Sequence, residues 1–422
     1  MSGKKRSIVL VILSFIAGMV YLTPFLRFTF YDQMLEALSI TDVQLGVIGG
    51  VYGTFNVLSY IPSGMLAERF NTKLLLIVSM IGMCLTTVWY AFYPGYTALI
   101  VIHALYGVFS VGTFWSPYIK SIRQLGTESE QGRVFGMSEG LRGVCQTVVA
   151  FACLGLLGLF ATNRAGFRAM LWVNAAVFAI LMLAVIFIVP DLDKELAASA
   201  GGSDAKQGEK RVVVSMIKML KSQSTWICIF VIACGYALWN TANGFIGTYC
   251  TRVLNISPGL SSTLSIIRSY VIVFVAGLSG GFIIDRFRTK GKGMLTVFAL
   301  TGVVTIGMFL TQDLTFVIVC VCFTVAFSYM VNVIKSTYWS ILGDAGIPVE
   351  ATGIATGVIS LIGLTPDIFV PPIVSRFIDH GESIGDVQVG FNMMLAWILV
   401  WALLGIVASI ILKKKREKAL NA

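Results

Sequence analysis

The chain has 422 residues, of which 57% are hydrophobic and only 12% charged, and its mean hydropathy is +0.85. A soluble domain carries roughly 25% charged residues, so this composition excludes a soluble enzyme, a secreted disulfide scaffold and a disordered protein; it describes a polytopic membrane protein. The net charge of +10 is the Lys/Arg excess that cytoplasmic loops of membrane proteins carry, not the basic patch of a soluble nucleic-acid-binding domain, and no nucleic-acid partner is expected.

The chain opens with MSGKKRSIVLVILSFIAGMVYL. This basic start and long apolar run exceed a signal-peptide core, and read as a retained first span. Apolar runs at 7–30, 43–66, 74–92, 97–124, 133–160 and 168–189 predict six transmembrane helices, each near the ~20 residues that a bilayer requires. The segment 190–224 contains DLDKELAASAGGSDAKQGEKR, which reads as a flexible cytoplasmic linker. Its end, VVVSMIKMLKS, suits a short amphipathic helix on the membrane surface. Six further runs follow at 225–251, 260–284, 293–311, 314–342, 348–375 and 389–412. With the N-terminus inside, 23 of the 31 Lys+Arg fall in cytoplasmic segments and four in outer loops. That bias places both termini in the cytoplasm. The remaining four, Arg27, Arg142, Arg268 and Lys335, lie within spans. The expected fold is an all-α membrane protein of twelve transmembrane helices, in two pseudo-symmetric six-helix bundles (1–189 and 225–422) joined by the linker.

The eight cysteines sit in or beside apolar runs without a CxxC pair, and the chain has only two His, His103 and His380. Neither a disulfide framework nor a zinc site is expected. With no nucleophile–base pair and no phosphate-cradling Gly-rich loop, neither enzymatic activity nor a cofactor is implied.

The chain repeats itself. GMLAERFNTK from Gly64 to Lys73 recurs as GFIIDRFRTK from Gly281 to Lys290, an offset of 217 residues. The same offset pairs Gly136 and Gly140 with Gly353 and Gly357, and Leu125-Gly126 with Leu342-Gly343. Two parallel six-span halves are the pattern of transporters that rock two bundles about a midplane site. In the repeated loop an acid, Glu68 or Asp285, stands before Arg69 or Arg286 and ahead of Lys73 or Lys290, and the second copy adds Arg288. The acid is placed to cap or pair with a neighbouring helix end and latch the cytoplasmic side. The plainer alternative is a solvated basic turn that fixes topology. Gly64 and Gly281 are candidates for close helix approach. Arg123 and Arg133 flank the loop between spans four and five and are possible gate partners of Glu68.

These two loops resemble the signature between spans two and three of the major facilitator superfamily and its second-half echo, with Glu68 where the family usually has Asp. The stretch KSIRQLGTESEQGRVFGMSEGLRG (120–143) is similar to the YihN-like branch of that superfamily. The resemblance covers the whole chain. It implies a monomeric secondary transporter of the bacterial plasma (inner) membrane working by alternating access. It also implies that spans one, four, seven and ten surround a cavity, flanked by two, five, eight and eleven. Spans three, six, nine and twelve would then face lipid; the runs 74–92, 169–189, 293–311 and 391–412 indeed contain no Asp, Glu, Lys or Arg.

A charge at mid-membrane costs about 2.5–3.5 kcal/mol on insertion scales, which makes it a functional candidate. Glu139 and Arg142 are three apart on span five and so share a face. Their repeat counterparts are Thr356 and Ile359, so the charges are not common scaffold. They are either a self-neutralising pair, or an anion-binding Arg142 with Glu139 tuning it or carrying a proton. Arg268, on span eight, has no acid within a turn, so Asp367 of span eleven or an anionic ligand is its expected partner. Arg27 lies near the outer end of span one, where it would snorkel or face the cavity; Lys335, on span ten, has the same two options. Tyr21, Trp115, Asn240 and Asn243 add polar and aromatic groups on the expected cavity helices. Four in-span cations against two in-span acids favour a small organic anion: a carboxylate, sulfonate or phosphate ester. In that reading Arg142, Arg268, Arg27, Lys335, Tyr21, Trp115, Asn240 and Asn243 bind substrate, and Glu139 or Asp367 carries a coupling proton. The rival is a transporter of a neutral sugar, nucleoside or drug, with Arg142–Glu139 and Arg268–Asp367 as structural pairs.

Overall fold

The structure, a computed structural model, describes residues 3–126, 131–197, 219–347 and 352–420. The first half begins with α1 (Gly3–Leu22), which ends two residues before Pro24. Proline lacks an N–H and clashes with the preceding turn, so the span predicted over 7–30 stops early as an α-helix. A 3₁₀ turn (Leu26–Phe28) and a short helix α2 (Tyr31–Leu38) follow. Helix α2 bends by 106° into α3 (Asp42–Arg69). A capping box starts α3: Thr41 Oγ1 accepts from the Gln44 N–H at 3.2 Å, and Gln44 Oε1 accepts from the Thr41 N–H at 3.0 Å. Next come α4 (Thr72–Ala91), then α5 (Tyr96–Gly107) and α6 (Trp115–Gln124), separated by a π-helical turn at Val108–Gly112. The half closes with α7 (Gln131–Gly158), α8 (Asn163–Phe187) and the short α9 (Leu192–Ala197).

The second half comprises α10 (Gln223–Arg252); α11 (Pro258–Ile266) and α12 (Ile272–Asp285), joined by a π turn at Ile267–Val271; and α13 (Lys290–Leu310). It continues with α14 (Val317–Thr337), α15 (Thr352–Gly363), α16 (Pro366–Ser383) and α17 (Val387–Leu420). Span eleven breaks between Gly363 and Pro366, where the proline stands at the first position of α16 and has no N–H to carry a continuous helix, and then runs past its predicted end to Ser383. Segment 198–218, with most of the expected surface helix, lies outside the described residues. Among the described residues eleven helical segments are long and apolar enough to cross a membrane, and twelve if the bent pair α2–α3 is one span.

The described residues fall into two units, Met1–Ser203 and Asp204–Ala422. The helix pairings are the same within each. In the first, α4 packs on α8, α3 on α5, and α1 on α7; in the second, α13 packs on α17, α12 on α14, and α10 on α15 and α16. The repeat seen in the sequence is therefore a repeat of packing. Leu85, Ile180, Val303 and Leu403, one on each of the four charge-free spans, are 64, 63, 62 and 60% exposed. Apolar faces of this kind belong against lipid.

The tight helix contacts are not at Gly64 and Gly281, where an added Cβ would meet nothing within 4 Å of its own unit. They are at Gly107, packed on the α3 backbone at Asn56, and at Gly280, whose Cβ would lie 2.8 Å from Ser336 Oγ. At Gly390 a Cβ would lie 2.5 Å from the Phe377 carbonyl and 3.0 Å from Ile378 Cα. Backbone atoms cannot rotate away. Gly390→Ala is therefore expected to cost about 1–3 kcal/mol through overpacking, read as a lower melting temperature in detergent. Gly302→Ala, with open space around it, serves as the unaffected control.

Candidate functional site

In the first unit the site is built where α1 meets α7. Ser14, Gly18 and Tyr21 recur at helical spacing on α1, and Ser138, Arg142 and Cys145 do so on α7. Gly18 admits the close approach: a Cβ there would meet Cys145 Cβ at 2.9 Å and the Arg142 carbonyl at 3.3 Å. Ser14 and Ser138 hydroxyls are 2.9 Å apart, and Tyr118 OH is 2.7 Å from Ser138 Oγ. Tyr21 donates to the Ser110 carbonyl inside the π turn at 3.2 Å, and its ring meets Trp115 edge-on at 6.0 Å. Beside this cluster Arg142 Nη2 pairs with Glu139 Oε2 at 2.6 Å, the side chains being 28 and 51% exposed. The intrahelical pair expected from the three-residue spacing therefore forms, and it stays accessible. Arg27 does not snorkel. It is buried in the 3₁₀ turn with its guanidinium 4.6 Å from the Phe28 ring centre. His103, also buried, places Nδ1 2.8 Å from the Leu99 carbonyl and packs against Tyr90 and Tyr106.

In the second unit one face of α10 organises the site. Tyr236, Asn240, Asn243 and Gly247 stand at i, i+4, i+7 and i+11. At its lower end the buried Asp367, in the first turn of α16, accepts from Tyr236 OH at 2.8 Å and from Asn240 Nδ2 at 2.6 Å. Tyr236 and Trp239 stack at 5.2 Å, and Lys335 Nζ sits 3.1 Å above the Trp239 ring. A cation over indole is held by the ring's negative face. Further up, Asn243 donates to the Trp239 carbonyl and accepts from Ser269 Oγ, both at 2.8 Å. At the top Arg268, carried on the π turn, packs against Gly247.

Arg268 is only 3% exposed. Its Nη2 donates to Ser265 Oγ at 2.8 Å and its Nε to the Leu264 carbonyl at 3.3 Å. Its Nη1 is buried without a partner, and among the described residues it meets no carboxylate. The expected Arg268–Asp367 pair does not form. Asn240, which holds Asp367, and Gly247, which abuts Arg268, are two turns apart on α10, a rise of roughly 10 Å. The π turn that presents Arg268 has no sequence signature. Such turns recur at functional sites.

Asp285 is exposed and pairs with Lys290 of its own loop. The side chains of Glu68 and Arg133 lie outside the described residues. Arg69, Arg123, Arg286 and Arg288 are exposed, and Lys73 Nζ donates to the Ile186 carbonyl at 2.8 Å. The helix N-termini are instead capped by acids from elsewhere in the same unit. Asp193, in α9, accepts from the Thr72 N–H at 2.7 Å and Gln124 Nε2 at 3.0 Å, and pairs with Lys120 at 2.8 Å. Asp344 accepts from the Lys290 N–H at 2.6 Å and the Gly291 N–H at 3.3 Å. Neither acid was singled out by the motif, and neither aligns with an acid in the other repeat: their counterparts are Ile410 and Thr127. Asp193→Ala should cost about 1–2 kcal/mol through the lost cap and lower the melting temperature, whereas Asp285→Ala, whose partner is a surface lysine, should stay within about 0.5 kcal/mol.

The profile of the Major Facilitator Superfamily matches residues 8–371. The chain belongs to the major facilitator superfamily. It is 26% identical to the Escherichia coli (strain K12) inner membrane protein YihN over 417 residues, covering 98% of this chain and 97% of that one. Its fold is similar to a bacterial homologue of the human lysosomal transporter Spinster (TM-score 0.76, 14% identity, 99% of both chains). It is also similar to a D-xylose–proton symporter (TM-score 0.74, 14% identity, 96% of both chains). The chain is thus a multi-pass major facilitator transporter working by alternating access, and not an enzyme.

Proposed function

We propose that this transporter carries a small organic anion (a carboxylate, sulfonate or phosphate ester) across the bacterial inner membrane together with a proton. The observation that carries the reading is Arg268. A guanidinium taken out of water costs several kcal/mol unless it is paired, and this one has an unused buried N–H and no acid beside it. An anionic head group supplies the missing partner. Lys335 over Trp239, Arg27, Asn240, Asn243, Tyr21 and Trp115 complete the recognition groups of the two halves. Asp367, a buried carboxylate that accepts from Tyr236 and Asn240, is the proton carrier; Glu139, half exposed beside Arg142, is the secondary candidate. The relatives' names support the inner-membrane location, and the Lys/Arg bias supports cytoplasmic termini. We further read residues 1–189 and 225–422 as the two bundles, 190–224 as the linker, the loop residues Gly64 to Lys73, Gly281 to Arg288, Arg123 and Arg133 as the gate, and the functional unit as a monomer.

A second reading has its own observation. The Arg142–Glu139 pair neutralises itself, as a carrier of a neutral sugar, nucleoside or drug would have it, and the xylose symporter shares the fold. Ligand-induced thermal shifts separate the two. Small carboxylates, sulfonates, sugar phosphates, uncharged sugars and nucleosides are tested on purified protein at acid and neutral pH. Stabilisation by one anion class supports the proposal. Stabilisation by neutral solutes alone sinks it.

A further inference from the structure

Helix α17 runs to Leu420, eight residues past the predicted end of its apolar run. Val400, Leu404, Val407 and Ile411 form an exposed apolar stripe along it. At the same spacing the stripe continues into Lys414 and Lys418, both exposed. On α13 the exposed Lys292 shares a face with Leu300 and Val303. The two helices touch backbone to backbone at this level: a Cβ on Gly291 would lie 2.7 Å from the Lys413 amide nitrogen and 2.9 Å from its Cα.

The neighbouring basic groups are already engaged. Lys290 pairs with Asp285, Arg416 lies 3.6 Å from Asp344, Lys415 donates to Ser224 Oγ at 2.5 Å, and Lys413 lies 3.9 Å from Glu417. Among the described residues Lys292, Lys414 and Lys418 have no such partner. Their counterparts in the first repeat are Leu75, Ala197 and Gly201, so the fold itself does not require them. Three ammonium groups are left where an apolar lipid-facing wall ends.

We propose that the α13–α17 seam is a binding site for an acidic phospholipid, with Lys292, Lys414 and Lys418 around the headgroup phosphate and the acyl chains along the Leu300–Val303 and Val400–Ile411 faces. The continuity of wall and cations selects a phosphate that carries acyl chains over free phosphate. Juxtamembrane lysine clusters attract anionic headgroups additively. This site stands apart from the substrate reading, and neither fails with the other.

The test measures phospholipid binding to the full chain in neutral detergent, by native mass spectrometry and thermal shift. Phosphatidylglycerol, phosphatidylethanolamine and inorganic phosphate are the probes. Wild type is expected to hold phosphatidylglycerol at least about tenfold more tightly than phosphatidylethanolamine. The Lys292→Gln/Lys414→Gln/Lys418→Gln protein should lose that preference, and the corresponding Lys→Arg protein should keep it. A control with the same charge loss at the other terminus, Lys4→Gln/Lys5→Gln/Arg6→Gln, should keep it too. If the triple Gln variant fails to fold, the Lys292→Gln and Lys414→Gln single variants should each show a partial loss. Equal binding of the two lipids by wild type, an undiminished preference in the Gln variants, or an equal response to inorganic phosphate would overturn the proposal.

Discussion

Arg268→Gln is expected to reduce transport of the anionic substrate by about 100-fold or more, because removing one member of a buried charge pair costs about 2–5 kcal/mol. The same substitution should raise the melting temperature of the ligand-free protein by about 2 °C or more. The sign follows from burial. Without ligand, the guanidinium is 3% exposed with Nη1 unpartnered, so its charge is a cost to the empty protein that only binding recovers. Stability and activity therefore move in opposite directions, as at other sites that hold strain for function. Arg268→Lys keeps the charge but not the planar fork, and should recover part of the binding and none of the stability. A lower melting temperature with transport intact would make Arg268 a structural tie to Ser265 and the Leu264 carbonyl.

Asp367→Asn should abolish substrate accumulation driven by a proton gradient in liposomes while leaving exchange of labelled substrate across the membrane. The neutral side chain cannot take up and release the proton. It also cannot accept from both Tyr236 OH and Asn240 Nδ2, which now share Oδ1 and Oδ2; one buried donor loses its acceptor at about 1–3 kcal/mol. Glu139→Gln should have a smaller effect on coupling, since that carboxylate is half exposed and already paired within its own helix. If the wild type accumulates substrate equally well with and without a pH gradient, the coupling role of Asp367 is wrong whatever the variant does.

Much of the architecture was legible before the structure. Twelve apolar runs and the 6+6 repeat follow from composition and from one offset of 217 residues, and the resemblance to the superfamily added which of the runs face lipid. In a bilayer every backbone polar group must be satisfied within its own segment, so a long apolar run has little choice but to be a helix. The Arg142–Glu139 pair was equally legible, because its geometry is that of a single helix turn. The site's other elements were not. Asp367 looked like the partner of Arg268, and it belongs instead to Tyr236 and Asn240. Gly64 and Gly281 looked like contact points, and the contacts are at Gly107 and Gly280.

The sequence by itself determined which segments lie in the membrane, that the two halves repeat, and which few charges are carried inside. Those properties are local: each depends on the hydropathy and spacing of neighbouring residues. The tertiary structure decided which charges meet, which remain alone, and which acids cap the helix ends. Such pairings depend on how far one helix is rotated and shifted against the next. A π turn such as Ile267–Val271, or a break such as that before Pro366, resets the register of a helix, and here Arg268 meets no carboxylate among the described residues while Asp367 accepts from a tyrosine and an asparagine.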